Sequence, residues 1–176
     1  MRALIAGAGI GGLATALALR RAGWTVEVLE QAPALEEVGA GLQLSPNAVK
    51  ALRCIGAEPS VRARASEVQT LEMRIGRTGR QLISILIGAR AERRYGAPYL
   101  HIHRADLVET LAREAQAAGV RVRTGARVAG HVDEAGAPLR VGLDTGEVVE
   151  GDLLVGADGL RSRTRVQLMG LDEARY

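Results

Sequence analysis

Phenylalanine is absent from this 176-residue chain, and one tryptophan and three tyrosines are its only large aromatics. A core must therefore be built from Leu, Val, Ile and Ala. Lys50 is the only lysine among 23 Lys and Arg residues, so nearly all positive charge is guanidinium, and the net charge is only +3. A nucleic-acid surface wants a basic stripe interleaved with aromatics, and neither is present. Arg90, Arg93 and Arg94 come nearest, and they read first as a solvated loop and second as an anion contact. Cys54 is the only cysteine, which excludes an intrachain disulfide and fits a reducing cytoplasm. It falls at the end of an expected helix, where a buried, inert thiol is the expectation. No run is long and apolar enough to span a bilayer. The glycine cluster within the apolar start argues against a signal peptide. These absences predict a soluble, cytoplasmic protein with no nucleic-acid and no membrane partner. A composition of 47% hydrophobic and 24% charged residues suits one globular domain with a sizeable core.

What is present is concentrated in the first thirty residues. Arg2 to Ala6 is a short apolar run with the character of a buried parallel strand. Gly7-Ala8-Gly9-Ile10-Gly11-Gly12 follows, then an Ala/Leu-rich helix from Leu13 to Ala22. Gly23 stops the helix, and Thr25 to Leu29 is a second strand ending at Glu30. Gly7, Gly9 and Gly12 form G-x-G-x-x-G in a strand-turn-helix context. Gly7 permits the tight turn, Gly9 lets backbone approach a diphosphate, and Gly12 lets helix and strand pack closely. The diphosphate then sits on free N–H groups at the positive end of the helix dipole. Glu30, about twenty residues on, is placed to accept hydrogen bonds from a ribose diol. A glycine-rich turn in some other α/β protein leaves that acid unexplained.

Further along, Gln31 to Leu44 reads as a loop whose Gly39-Ala40-Gly41 would let backbone pass close to a flat ligand. Ser45 and Pro46 open a helix running to Ile55. Val68 to Ile75 alternates as a half-buried strand should, and Gln81 to Ile87 returns from the Arg77-Thr78-Gly79 turn as a hairpin. Residues 68–103 are expected to begin a second sheet outside the minimal dinucleotide fold. Tyr99 to His103 is extended, and Arg104 to Ala118 is a helix with Leu107, Leu111 and Ala115 facing inward. Val120 to Val122 is a strand. A meander follows over Ala126 to Val132, Leu139 to Leu143 and Glu147 to Glu150. Asp152 to Gly156 is a last buried strand, and Leu160 to Leu168 a last helical stretch.

The turn between those two carries Gly156-Ala157-Asp158-Gly159, followed by Arg161 and Arg165. Its carboxylate could accept ribose hydroxyls while the turn's N–H groups face phosphate. It could equally be a polar turn with Asp158 as helix N-cap, and alone the stretch admits both readings. His101 and His103, with Asp106, could be read as a metal pair and third ligand. The intervening Arg104 and the need for several ligands argue against it, and no metal is expected.

The two glycine motifs together resemble the flavin-dependent aromatic hydroxylases, the single-component monooxygenases that include salicylate hydroxylase and para-hydroxybenzoate hydroxylase. Two further stretches are similar: Gly39 to Asn47, which resembles the loop running along the flavin, and Tyr95 to Leu107, which resembles the segment whose Arg contacts FAD. The resemblance implies an α/β fold: a Rossmann-like, glutathione-reductase-type FAD-binding parallel sheet with a β-meander crossover and part of a second β-sheet. It implies FAD as cofactor, NAD(P)H as transient reductant and a small aromatic substrate. The implied FAD contacts are Gly7, Gly9, Ile10, Gly11, Gly12, Glu30, Gln31, Gly41, Leu42, Gln43, Arg104, Val128, Asp158 and Gly159. Val128 falls where family members hold the adenine by backbone.

Members of the family continue beyond the D-G motif into a substrate domain and a third, G-D-A motif. The resemblance therefore implies an N-terminal portion: a fragment, a truncated product or half of a split enzyme. Some relatives place a His just after the G-A-G loop, where this chain has Gln43. No catalytic residue can be named. The alternative is an inactive, truncated FAD-binding or assembly module, paired with a second copy or with a missing C-terminal half. A dehydrogenase using NAD alone would leave the D-G and Arg104 segments without a role.

Overall fold

The computed structural model describes residues 1–35 and 39–170. In chain order its elements are β1 (Arg2–Ala6), α1 (Ile10–Arg21), β2 (Thr25–Leu29), β3 (Gly41–Leu44), α2 (Pro46–Cys54), α3 (Glu58–Arg62), β4 (Ser66–Glu67), β5 (Thr70–Arg74), β6 (Gln81–Leu86), α4 (Gly88–Tyr95), β7 (Leu100–His103), α5 (Arg104–Ala117), β8 (Arg121–Arg123), β9 (Val128–Val132), β10 (Leu139–Leu143), β11 (Val148–Gly151), β12 (Leu153–Gly156) and α6 (Arg163–Met169). The chain divides into two compact units, Met1–Glu37 with Val108–Tyr176, and Val38–Leu107.

The first unit is built on a parallel sheet in the order β12-β1-β2-β8. Side chains alternate across a strand, and both faces here are apolar. Leu4, Ala6 and Leu29 face the antiparallel meander β11-β10-β9, where they meet Ala126, Val128, Val141, Leu143 and Val149 in one buried cluster. Ala3, Ile5, Val26 and Val28 are equally buried. Leu107, Leu111 and Ala115 are the buried stripe of α5. Glycine-terminated turns carry the chain out of several of these elements, Gly23 after α1 and Gly119 after α5 both at positive φ.

The second unit holds two separate antiparallel sheets, β3-β7-β4 and the hairpin β5-β6. It departs from the expectations in four places. The stretch taken as a loop contains β3, because Gly41 to Leu44 pair with Leu100 to His103. Residues 36–38 of that stretch lie outside the described residues. Arg90, Arg93 and Arg94 lie on helix α4, closed by Gly96 at φ 73°, and not in a loop. The β5-β6 hairpin forms, but it is not half-buried: every residue of β6 is exposed. Cys54 is exposed, not buried, because the inward stripe of α2 is Val49 and Leu52 and Cys54 falls past it. Among the described residues, no helix is long and apolar enough to cross a membrane.

Candidate dinucleotide site

The turn between β1 and α1 is shaped by contacts that only glycine allows. Gly7 has φ +100°, and a Cβ there would lie 2.5 Å from the Ala157 carbonyl oxygen. A Cβ on Gly12 would overlap the Gly7 carbonyl oxygen. At Gly9 and Gly11 nothing lies within 4 Å of a Cβ, so that side of the turn is open. Gly9 is the N-cap of α1, and no side chain caps the helix or places an acid in its first turn. Helix N-termini leave backbone N–H groups unsatisfied and carry a partial positive charge. The turn therefore presents an uncapped helix N-terminus that is open on its Gly9 and Gly11 side, which suits an anionic ligand.

Glu30 stands at the end of β2 beside this turn. Its Oε2 accepts the Ala8 N–H at 2.7 Å and its Oε1 accepts the Ala32 N–H at 2.8 Å. An ionised carboxylate offers about four lone-pair sites, so two remain for a ligand's hydroxyls. Gln31 follows it in an exposed bend. Val128 opens β9 and is buried in the cluster beneath the meander.

The second glycine turn is part of the same unit and touches the first. The Ala157 N–H donates to the Ala6 carbonyl at 2.8 Å. Asp158 Oδ1 accepts the Ser162 hydroxyl at 2.6 Å, and Oδ2 accepts the Thr164 N–H and hydroxyl, each at 3.1 Å. Burial alone would push the Asp158 carboxyl up. Hydrogen bonds from Ser162, Thr164 and its own backbone outweigh this and hold it below the ordinary aspartate value. Ser162, not Asp158, is the N-cap of α6, accepting the Arg165 N–H at 2.9 Å. The Arg165 guanidinium donates to the Leu160 carbonyl at 3.0 Å. Gly159 takes φ +76° to leave the turn.

A cradle of this kind, with glycine contacts, an uncapped helix and a neighbouring acid, fits a dinucleotide diphosphate and ribose. A family model described as the FAD binding domain matches residues 1–172. The chain belongs to that family.

Two curated relatives and one solved structure extend the match. The chain is 43% identical over 175 residues to 3-hydroxybenzoate 6-hydroxylase 1 of Aquipseudomonas alcaligenes, covering 98% of this chain and 44% of the relative. It is 37% identical to 6-hydroxynicotinate 3-monooxygenase of Bordetella bronchiseptica, covering 99% of this chain and 45% of that protein. HpxO of Klebsiella pneumoniae, solved with FAD, superposes with a TM-score of 0.87 at 29% identity, covering 99% of this chain and 44% of the other. This FAD binding domain thus spans less than half the length of the relatives it matches.

The remaining expected FAD contacts lie in the second unit. Gly41, Leu42 and Gln43 are on β3, and the Arg104 N–H at the start of α5 donates to the Ala40 carbonyl at 3.0 Å. Gln43 lies opposite His101 in the ladder, and its Oε1 accepts the Tyr99 hydroxyl at 2.9 Å. Gly41, Gln43, Ser66, His101 and His103 line a cleft of about 490 Å³, with the Arg64–Asp106 ion pair (2.6 Å) at its side. Among the described residues, no group of three or more His, Cys, Asp and Glu side chains is arranged to hold a metal ion.

Sequence reasoning passed over Glu27, Ser162 and Thr164. Glu27 is only 3% exposed and sits among Arg2 (2.5 Å), Arg123 (3.5 Å) and Arg121 (3.7 Å). Nothing in TVEVL marks its central acid as buried, because the compensating arginines come from β1 and β8. Ser162 and Thr164 were in view only as neighbours of the D-G turn, although hydroxyls four and six residues after an Asp are a local signal for capping.

Proposed function

We propose that the chain is the FAD-binding part of an NAD(P)H- and O₂-dependent monooxygenase that hydroxylates an aromatic acid or phenol in the cytoplasm. The observation that carries this reading is the open, uncapped glycine turn beside Glu30, within a chain matched over residues 1–172 by the FAD binding domain. The hydroxylase activities of the relatives support the reaction class. Bound FAD would supply the redox and oxygen chemistry. The N–H groups of Ile10, Gly11 and Gly12 would hold its diphosphate, Glu30 and Gln31 its adenosine ribose, and the Val128 backbone its adenine. Gly41, Leu42, Gln43, Arg104 and Gly159 would form the flavin side. We assign residues 1–176 to one FAD-binding domain in which 68–103 begin an incomplete substrate-domain sheet.

The hairpin favours a second reading, in which this polypeptide is a module that works only when paired. Leu71, Met73, Leu82, Ile83, Ile85 and Leu86 are all exposed on β5-β6, and a two-stranded hairpin is marginal in water without a third strand or a cover. A second copy or a C-terminal half would provide one.

The test begins with the visible spectrum of the purified chain after FAD addition and desalting. Retained flavin bands are the expected result. Glu30→Ala should weaken FAD about tenfold, the scale of a lost charged hydrogen bond. A colourless protein, or a Glu30→Ala variant with unchanged affinity, would overturn the assignment. NADH oxidation stimulated by an aromatic acid with this chain alone would overturn the paired-module reading.

A further inference from the structure

Glu27 is the buried charge that the dinucleotide turn does not use. It sits mid-strand in β2, opposite Leu4 and on the face that Leu4 and Leu29 turn toward the meander. Arg2 reaches its Oε2 at 2.5 Å. Its Oε1 is buried, has no hydrogen-bond partner among the described residues, and is faced by Arg123 at 3.5 Å and Arg121 at 3.7 Å. The Arg123 guanidinium also forms a bidentate pair with Glu147, in the turn between β10 and β11, at 2.9 and 2.7 Å. Burying a carboxylate is costly, and replacing such pairs is often neutral for stability. What this network does hold is β8. That strand is a sheet edge of three residues, none of them buried. Yet it carries the last rung before the acid of the dinucleotide site, since the Arg123 carbonyl accepts the Glu30 N–H at 2.8 Å. On the other side the Glu30 carbonyl accepts the Ala126 N–H at 2.7 Å, and Ala126 is fixed by burial beneath the meander. The N–H side has no buried residue of β8 to fix it; its anchor is the Arg123 side chain.

We propose that Arg123, held between Glu27 and Glu147, is a positioning residue for Glu30. It pins β8 so that the Arg123 carbonyl aligns the Glu30 peptide, and with it the carboxylate meant for the ribose. The guanidinium acts from the meander side and is not itself a nucleotide ligand. The inference rests on the FAD-binding reading and deepens it. Freed from its two carboxylates, the short edge strand frays, the Glu30 N–H loses a fixed acceptor, and the carboxylate loses its aim. ADP carries the same ribose and diphosphate as that half of FAD, so both ligands should feel the loss equally.

The experiment measures FAD affinity by flavin fluorescence quenching and ADP affinity by calorimetry, beside the ligand-free melting temperature. The variants are Arg123→Met, Glu147→Ala, Glu27→Gln and Glu30→Ala, with the first two also made in the Glu30→Ala background. Arg123→Met should weaken FAD and ADP alike by about fivefold, and Glu147→Ala and Glu27→Gln each by about threefold. In the Glu30→Ala background Arg123→Met and Glu147→Ala should each cost less than about twofold, because the group they aim is gone. A merely structural role would not produce that coupling. Losses that multiply in full in the Glu30→Ala background overturn the proposal, and so does a lowered melting temperature with unchanged affinities. If Arg123 were a direct ligand, Glu147→Ala would release the guanidinium and leave affinity unchanged or raised; that result overturns the proposal too. Should Arg123→Met fail to fold, Glu147→Ala with and without Glu30→Ala decides alone, since the Glu147 side chain is 47% exposed in a turn. A parent chain that binds neither FAD nor ADP would overturn the FAD-binding reading and this one with it, whereas a binding parent with indifferent variants overturns this one only.

Discussion

Two strand pairs in this chain have similar sequences and opposite fates. β1 and β2 pair in register from Arg2–Thr25 to Ala6–Leu29, and Leu4, Ile5, Val26 and Val28 are essentially inaccessible. β5 and β6 pair from Thr70–Leu86 to Arg74–Gln81, yet Ile83 is 48% exposed and Leu86 66%. QLISIL is no less apolar than RALIA. The difference is the layer above. The meander covers one face of the parallel sheet, while among the described residues nothing comparable covers the hairpin. Backbone pairing is satisfied locally, but burial requires a second layer. Charge divides along similar lines. Residues 38–107 carry eleven Arg and Lys against five Asp and Glu, and the remainder carries twelve against fifteen. The unit that carries the exposed apolar hairpin is thus also the basic one.

The sharpest way to test the tightly packed region is Gly12→Ala. Its Cβ would overlap the Gly7 carbonyl oxygen, which is backbone and cannot swing away. Overpacking of this kind costs about 3 kcal/mol or more, so the variant should lose FAD and melt far below the parent. Gly9→Ala is the matched contrast, since nothing lies within 4 Å of that Cβ. It should change stability by less than about 1 kcal/mol while weakening FAD, because the added methyl occupies the side open to the diphosphate. Equal stability losses at both positions, seen by thermal melting, would show that the turn is not packed as described.

Next in size is a direct comparison of the two regions by truncation. Leu111 is fully buried, and Leu111→Ala should cost about 3 kcal/mol in urea unfolding. Ile83→Ala should stay within about 0.5 kcal/mol, as surface changes do. A large Ile83→Ala effect would mean the hairpin is covered in solution. Its dependence on protein concentration would then separate a second copy from packing within one chain.

The parts that were legible in sequence are those whose signals are local. Gly7, Gly9, Gly12 and Glu30 announce the turn because strand, glycines, helix and acid follow each other within thirty residues. A dinucleotide fold followed from those residues, and the FAD binding domain followed from the family resemblance that the D-G turn and the Gly39–Asn47 and Tyr95–Leu107 stretches add to them. What was not legible depends on distant partners. β3 looks like loop until Leu100 to His103 are beside it. The apolar alternation in β5 predicts a covered face, and among the described residues the structure leaves that strand exposed. Cys54 illustrates the limit of reading burial from residue type, since one turn of helix decides which side it faces. Asp158 illustrates another: the sequence shows a carboxylate at the turn, but not that the Ser162 and Thr164 hydroxyls donate to it.

The smallest expected effect concerns acid. Asp158 is held below the ordinary aspartate value when folded. A depressed carboxylate contributes stability above its unfolded pKa, about 3.9, and loses it as pH falls through the folded value. Glu58 beside Arg53 and Glu147 beside Arg123 are also lowered, so the parent's acid sensitivity is shared and the Asp158 part must be read as a difference. The gap in urea midpoint between the parent and Asp158→Asn should be constant from about pH 7 to about pH 5. It should then shrink progressively as pH falls below about 4. A gap that persists undiminished at about pH 2.5 would mean that the ionised carboxylate is not what stabilises the second glycine turn. Such a gap would shift the explanation to the packing of Thr164 on Gly156, where neither partner titrates.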